Sequence, residues 1–199
     1  MKQATKATGF VQIVALVLIC FISLSHAQVP GFGKCPSNVQ TVQNLDVNSY
    51  IGRWYEYSKY PVLFEFNGKC VYAQYGLDAD GNVSVFNFSI DRLTQLSKSI
   101  SGTASIVAPG KLSVKFRNIP SFGNGSNYWI LGTDYNNYAV VYSCSELLGI
   151  FHAEVVWILT RERVPSDDII ETAKGIISAN GISLTPLQKT DQQNCPENK

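Results

Sequence analysis

Histidine is almost missing from this chain, with two in 199 residues, and charged residues make up only 16% of it. Acid–base and nucleophilic catalysis both need a base beside an activated nucleophile, so this scarcity argues against an enzyme. No Gly-x-Ser-x-Gly, P-loop or His-Glu-x-x-His motif occurs. Clustered basic charge is lacking as well: 16 Lys and Arg stand against 15 Asp and Glu, for a formal charge of +1. That balance offers no footprint for nucleic acid or for an anionic membrane surface. No Cys-x-x-Cys pair supports a zinc site. Glycine (15) and proline (8) are too few, and hydrophobic residues (45%) too many, for a disordered or fibrous chain. What remains has the size of one domain with a real core or an enclosed cavity.

The chain opens with a removable segment. Lys2 and Lys6 precede an unbroken apolar run from Ile13 to Ile22, and Ser25-His26-Ala27 closes it with a small-x-small pattern. Ten apolar residues are too few to span a bilayer but suit a secretory signal peptide. Residues 1–27 are therefore expected to be cleaved, leaving residues 28–199 as one secreted, extracellular domain of charge −1. Cys20 leaves with the signal, and Cys35, Cys70, Cys144 and Cys195 form an even set suited to two disulfides in any of three connectivities. Asn82-Val-Ser, Asn87-Phe-Ser and Asn124-Gly-Ser are acceptor sequons for N-glycosylation.

Beyond Trp54 the pattern is β-rich and punctuated by turns. Eight runs read as strands: Trp54 to Tyr60, Cys70 to Leu77, Val83 to Ile90, Ser97 to Val107, Lys111 to Phe116, Tyr128 to Gly132, Tyr138 to Cys144 and Ala153 to Arg161. Asp80-Gly81-Asn82, Ala108-Pro109-Gly110 and Asp134 to Asn137 join neighbours tightly enough to make them antiparallel. The period then changes. Pro165 to Asp168 resembles a helix entry, and Ile169, Ile170, Ala173, Ile176 and Ile177 recur at helical spacing until Asn180-Gly181. Such an all-β chain with one late helix forms either an up-and-down barrel or a two-sheet sandwich.

Three motifs choose the barrel. Gly52-Arg53-Trp54 at the first strand, Thr133-Asp134-Tyr135 between the sixth and seventh, and Thr160-Arg161-Glu162 after the eighth resemble the lipocalin family in identity and order. Nearly the whole of residues 28–199 is similar to the branch that holds apolipoprotein D, the Lazarillo proteins and the bilin-binding insecticyanins. The resemblance implies an eight-stranded antiparallel up-and-down barrel with one C-terminal α-helix packed outside. It also implies Cys35 paired with Cys144 and Cys70 with Cys195. On physical grounds, Trp54 is a large plate where the chain enters the barrel, and a guanidinium from Arg161 stacked on it, beside Gly52, would plug the closed end. Ile169, Ile170 and Ile177 read as helix packing on the barrel.

Alternation on the last strand puts Val155, Trp157, Leu159 and Arg161 on one face. If Arg161 reaches the plug, the other three face inward. The family resemblance adds Tyr75, Phe116, Tyr128 and Trp157 to the pocket and turns Asn87 inward. That leaves Phe86 and Phe88 outside as an apolar patch and makes Asn82 and Asn124 the usable sequons. Lys69 and Arg92 are placed near the mouth of an otherwise neutral cavity. His152, the remaining histidine, reads as a structural imidazole. The expected function is a secreted carrier of one small hydrophobic ligand, a lipid, sterol, retinoid or bilin, held as cargo rather than as a required cofactor. The alternative is an extracellular scaffold that contacts a receptor, lipoprotein or membrane and has no essential ligand.

Overall fold

A computed structural model describes residues 29–62, 67–79, 81–117 and 125–196; the signal segment and Asn124 lie outside these. Within the described residues ten strands run antiparallel: β1 (Val29–Phe32), β2 (Gly52–Lys59), β3 (Gly68–Leu77), β4 (Val83–Asp91), β5 (Ser97–Ala108), β6 (Lys111–Phe116), β7 (Ser126–Thr133), β8 (Tyr138–Leu147), β9 (Phe151–Thr160) and β10 (Gln188–Lys189). Among the described residues two helices join them, α1 (Val47–Tyr50) and α2 (Asp167–Ala179). Strands β2 to β9 pair in sequence order, and β9 returns to pair with β2 through Tyr55↔Thr160 and Lys59↔Trp157. The sheet is closed, and the sandwich alternative is excluded.

Short polar turns set this order. Asp134 Oδ1 accepts hydrogen bonds from the backbone N–H groups of Asn136, Asn137 and Tyr138, which turns β7 into β8. Burial pushes that carboxyl up, but these bonds and one from the Asn137 side chain outweigh it and hold the pKa below the usual carboxylate range. At the opposite end Asp91 accepts from Leu93 N and Thr94 N and pairs with Lys98 at 2.7 Å. Strand ends extend past the sequence expectation, β8 to Leu147 and β9 back to Phe151, because each continues to bond its neighbour.

Two apolar clusters divide the protein. One fills the barrel around Trp54, Tyr75, Val85, Ile130, Val141 and Leu159. The other lies outside, where Ile170, Ala173 and Ile177 of α2 meet Val140, Tyr142, Val156 and Ile158. Both faces of β8 and β9 are thus buried, as parallel apolar sets on those strands require. Ile169 was expected in this contact but is half-buried; Ala173, a turn later on the inner face, takes that place fully buried.

The disulfides join Cys35 to Cys144 and Cys70 to Cys195, as the resemblance implied, with Cα separations of 6.0 and 5.5 Å. They close loops of 109 and 125 residues, for which chain entropy gives about 4–5 kcal/mol each. The second holds a tail that repairs the wall. Among the described residues the β2–β3 ladder spans only Gly52 to Tyr55 against Tyr75 to Tyr72. Past it, Thr190 N donates to Tyr57 O at 2.9 Å and Cys70 N to Asp191 O at 2.8 Å. Gln192 Nε2 then bridges Glu56 O (2.9 Å) and Val71 O (2.7 Å), one from each strand.

Candidate ligand pocket

The floor of the barrel is built by the segment ahead of β2. Asp46 caps α1, accepting from Asn48 N, Ser49 N and the Ser49 hydroxyl. Before it, Val42 N donates to Ile130 O, and Gly110 lets this strand of chain approach, because a Cβ there would sit 2.5 Å from Val42 O. Arg161 secures the exit of α1. Its guanidinium lies 3.7 Å over the Trp54 ring and donates to the carbonyls of Ser49, Ile51, Arg53 and Tyr135 at 2.9–3.0 Å. Gly52 has φ +102°, and a Cβ on it would stand 3.1 Å from Arg161 Nη1, so the motif glycine serves both turn and plug. Trp54 Nε1 donates to Tyr50 O, which fixes Tyr50 over the floor.

Above this floor is a small pocket whose exposed lining is apolar, with free room for about one water-sized group between the side chains. Its lining comes from Leu45, Val47 and Ile51 below, Val83, Ala104, Leu112 and Val114 on the wall, and three tyrosines. Tyr75 Oη donates to Tyr128 Oη at 2.8 Å, and Tyr50 and Tyr128 hydroxyls are 2.9 Å apart. Burial raises the pKa of Tyr50 well above the usual phenol value, with the neighbouring Tyr75 adding to it. Burial does the same for Tyr128, followed by Tyr50 and Tyr75. Both phenols therefore stay protonated. Farther from the floor, Asn87 follows Val83 and Val85 on the inner face of β4, and its Oδ1 is buried without a hydrogen-bond partner.

The Lipocalin-like domain profile matches residues 45–192, from the floor segment to the bridging glutamine. The chain belongs to the lipocalin family. It is 39% identical to apolipoprotein D of Cavia porcellus over 193 residues, covering 95% of this chain and 98% of that one. The bilin-binding protein of Pieris brassicae is 30% identical over 154 residues, 75% of this chain and 78% of its own. Insecticyanin from the tobacco hornworm Manduca sexta shares the fold at TM-score 0.72 and 24% identity, covering 84% of this chain and 91% of its own.

In this lipocalin the expected site residues separate into three groups. Tyr75 and Tyr128 line the pocket. Leu159 is buried in the barrel cluster, Phe116 and Trp157 border it, and Trp157 also touches the outer cluster. Val155 is buried, but in the cluster with Tyr60 and Val62 rather than with the pocket. Phe86 and Phe88 do face outward, yet they are no open patch: Tyr72 stacks on Phe88 at 4.9 Å and Arg53 covers Tyr72 at 4.2 Å. Asn82 is exposed on the β3–β4 turn, whereas Asn87 is enclosed by the barrel.

One charged expectation is corrected. Arg92, in the turn between β4 and β5, lies 4.0 Å from Asp191 of the tail. The cavity wall is not free of charge, since Glu56 and Lys59 stand opposite Leu159 and Trp157 in the β2–β9 register and pair at 3.1 Å. Burial leaves them 3% and 12% exposed, and Thr190 Oγ1 also donates to Glu56. His152 lies on the outer side, with Nδ1 3.1 Å from Gly33 O and Nε2 3.6 Å from Glu154. Sequence reading missed Tyr50 and the floor aliphatics. The only local signal for them is the cap pattern Asp46 to Ser49, which marks a turn of helix just ahead of Gly52.

Proposed function

We propose that this lipocalin is a secreted carrier that holds one small, mostly hydrophobic ligand inside its barrel. The observation that carries the reading is the closed barrel with a small apolar pocket above its floor, lined by aliphatic side chains and the rings of Tyr50, Tyr75 and Tyr128, and with the unpaired Asn87 Oδ1 and the Glu56–Lys59 pair higher on the wall. Burial of ligand surface at roughly 25 cal/mol per Å² supplies the affinity, and the few polar atoms orient the cargo. A bilin or a lipid would be bound as cargo, and the protein needs no cofactor. The bilin-binding relative supports pigment, and apolipoprotein D supports lipid. Two disulfides suit an extracellular setting. The test is the visible absorption and mass spectrum of protein purified from its native source without delipidation. Red absorption identifies a tetrapyrrole, a colourless extract with one enriched lipid identifies a lipid carrier, and an empty barrel that takes up neither overturns the proposal.

One observation favours the scaffold reading as a second function. Phe32, Leu93, Leu96, Leu147, Leu148 and Ile150 are 57–87% exposed, and all sit at the open end, where β4 turns into β5 and β8 into β9. A rim this apolar suits contact with a lipid surface. Cosedimentation with phosphatidylcholine vesicles, lost on Leu93→Asp with Leu148→Asp, is the expected result.

A further inference from the structure

The sequon at Asn82 closes the β3–β4 hairpin and takes no part in the barrel interior. Asp78 N donates to Asn82 O at 2.9 Å, so the ladder runs one pair past Leu77↔Val83 and its alternation holds as far as Asn82. Val83 and Val85 belong to the barrel cluster, which turns Asn82, Ser84 and Phe86 onto the outer face. Asn82 is exposed there, yet its side chain is held in place. Its Nδ2 donates to Asp78 Oδ2 at 3.2 Å, and its backbone N to Asp78 Oδ1 at 2.8 Å. That grip uses one of the two carboxamide hydrogens and leaves the second.

The ground beyond Asn82 is low and ends against a ring. Ser84 stands between Gly76 on β3 and Thr103 on β5. A Cβ built on Gly76 would meet Ser84 Oγ at 3.0 Å and, among the described residues, no other neighbouring atom within 4 Å. Two positions on, roughly 13 Å along the strand from Asn82, comes Phe86. Its ring is half-buried, with Tyr72 at 6.4 Å and Ser101 opposite on β5.

We propose that Asn82 carries an N-linked glycan whose first two N-acetylglucosamine residues lie along the outer face of β4, over Gly76 and Ser84 and against the ring of Phe86. The inference rests on the secreted reading, because the donor, a lipid-pyrophosphate-linked oligosaccharide, belongs to the secretory compartment. In the transfer Nδ2 bonds to the anomeric carbon of the sugar, the bond from that carbon to the pyrophosphate oxygen breaks, and Nδ2 gives up one hydrogen as a proton. The N–H that remains suffices for Asp78. The C–H face of the sugar and the Phe86 ring shield each other from water, and the hydroxyls of Ser84, Ser101 and Thr103 suit its polar rim. Asn87 carries the same acceptor pattern five residues on, but its Oδ1 is buried inside, and a glycan there is incompatible with the closed barrel.

The test is expression of the full chain in insect cells, followed by peptide-N-glycosidase treatment of the secreted protein in ¹⁸O water. The label should enter at Asn82 and not at Asn87. Nuclear magnetic resonance of the intact glycoprotein should show Overhauser contacts between the first two sugars and the Phe86 ring protons. It should also show an upfield shift of those sugar protons that is lost in Phe86→Ser. Secreted protein with Asn82 unmodified overturns the inference and leaves secretion standing. Sugar signals at the positions of free chitobiose, without contacts to Phe86, overturn the packing in the unaltered protein, so this outcome does not depend on the variant folding. A chain retained in the cell overturns the secreted reading and the inference with it.

Discussion

Arg161 should be the most costly surface-accessible side chain in the molecule to truncate. Replacing it with alanine removes the cation stacked on Trp54, worth about 1 kcal/mol. It also strips the donors from four carbonyls, those of Ser49, Ile51, Arg53 and Tyr135. Each charge-assisted bond contributes about 1.5–3 kcal/mol when buried, but the guanidinium is only half-buried and water would recover part of that. A net loss of about 3–5 kcal/mol follows, which for a chain of this size lowers Tm by roughly 6–20 °C. Lysine keeps the charge but not the planar fork, so Arg161→Lys should recover less than half of the loss. The assay is thermal unfolding followed by near-ultraviolet circular dichroism with both disulfides intact. A shift below about 1 kcal/mol for Arg161→Ala would show that the plug is ornament rather than structure.

Asn87→Val removes a buried carboxamide whose oxygen has no partner, and should stabilise the empty protein by about 1 kcal/mol in urea unfolding; a loss of similar size would mean the oxygen is satisfied after all. Cys195→Ser frees the tail from Cys70 and should cost about 2–5 kcal/mol, with trypsin cutting at Lys189 far sooner than in the parent. In alkaline titration followed at 295 nm, Tyr50 and Tyr128 should stay silent past pH 10, with Tyr60 pushed up to about 12 by burial. Because these pKa values are raised, the folded state holds protons that the unfolded chain releases, so stability is intact below about pH 10 and declines above it. All ten tyrosines ionising together near 10 in folded protein would contradict the enclosed floor.

The strands were legible because alternation and turn residues act over a few positions, and both were present. Where a single irregularity resets the alternation, the reading went astray. Trp54, Glu56 and Ser58 alternate on one face by count, but the register shifts between Glu56 and Ser58, and Lys59 comes to stand opposite Trp157. No glycine announces that bulge, so the place of Lys59 on the cavity wall was invisible, although plain alternation already set Glu56 on the Trp54 face. Tyr50 escaped for a different reason: α1 is four residues long and too short for any helical period to show. Strand β10 has two residues and exists only because β2 offers an edge. The cysteine pairing could not come from spacing; it came through family resemblance. The Tyr50–Tyr75–Tyr128 chain joins residues 78 and 53 positions apart, a proximity that only closure of the barrel creates.

The bridging role of Gln192 bears on the order of events in biosynthesis. Until Thr160 has been made, β2 has no β9 to close against, and the growing chain is an open sheet with two unpaired edges. Closure alone does not finish the wall, because the seam between Glu56 and Val71 waits for an amide supplied 121 residues after Val71. Contacts this distant in sequence form slowly, so the nascent chain passes through a stage with its future interior open at the side. A hydrophobic cargo present in the secretory lumen would meet that opening before the tail and Cys195 shut it. Loading during folding, rather than through the finished mouth, is then available to any ligand the barrel later releases slowly.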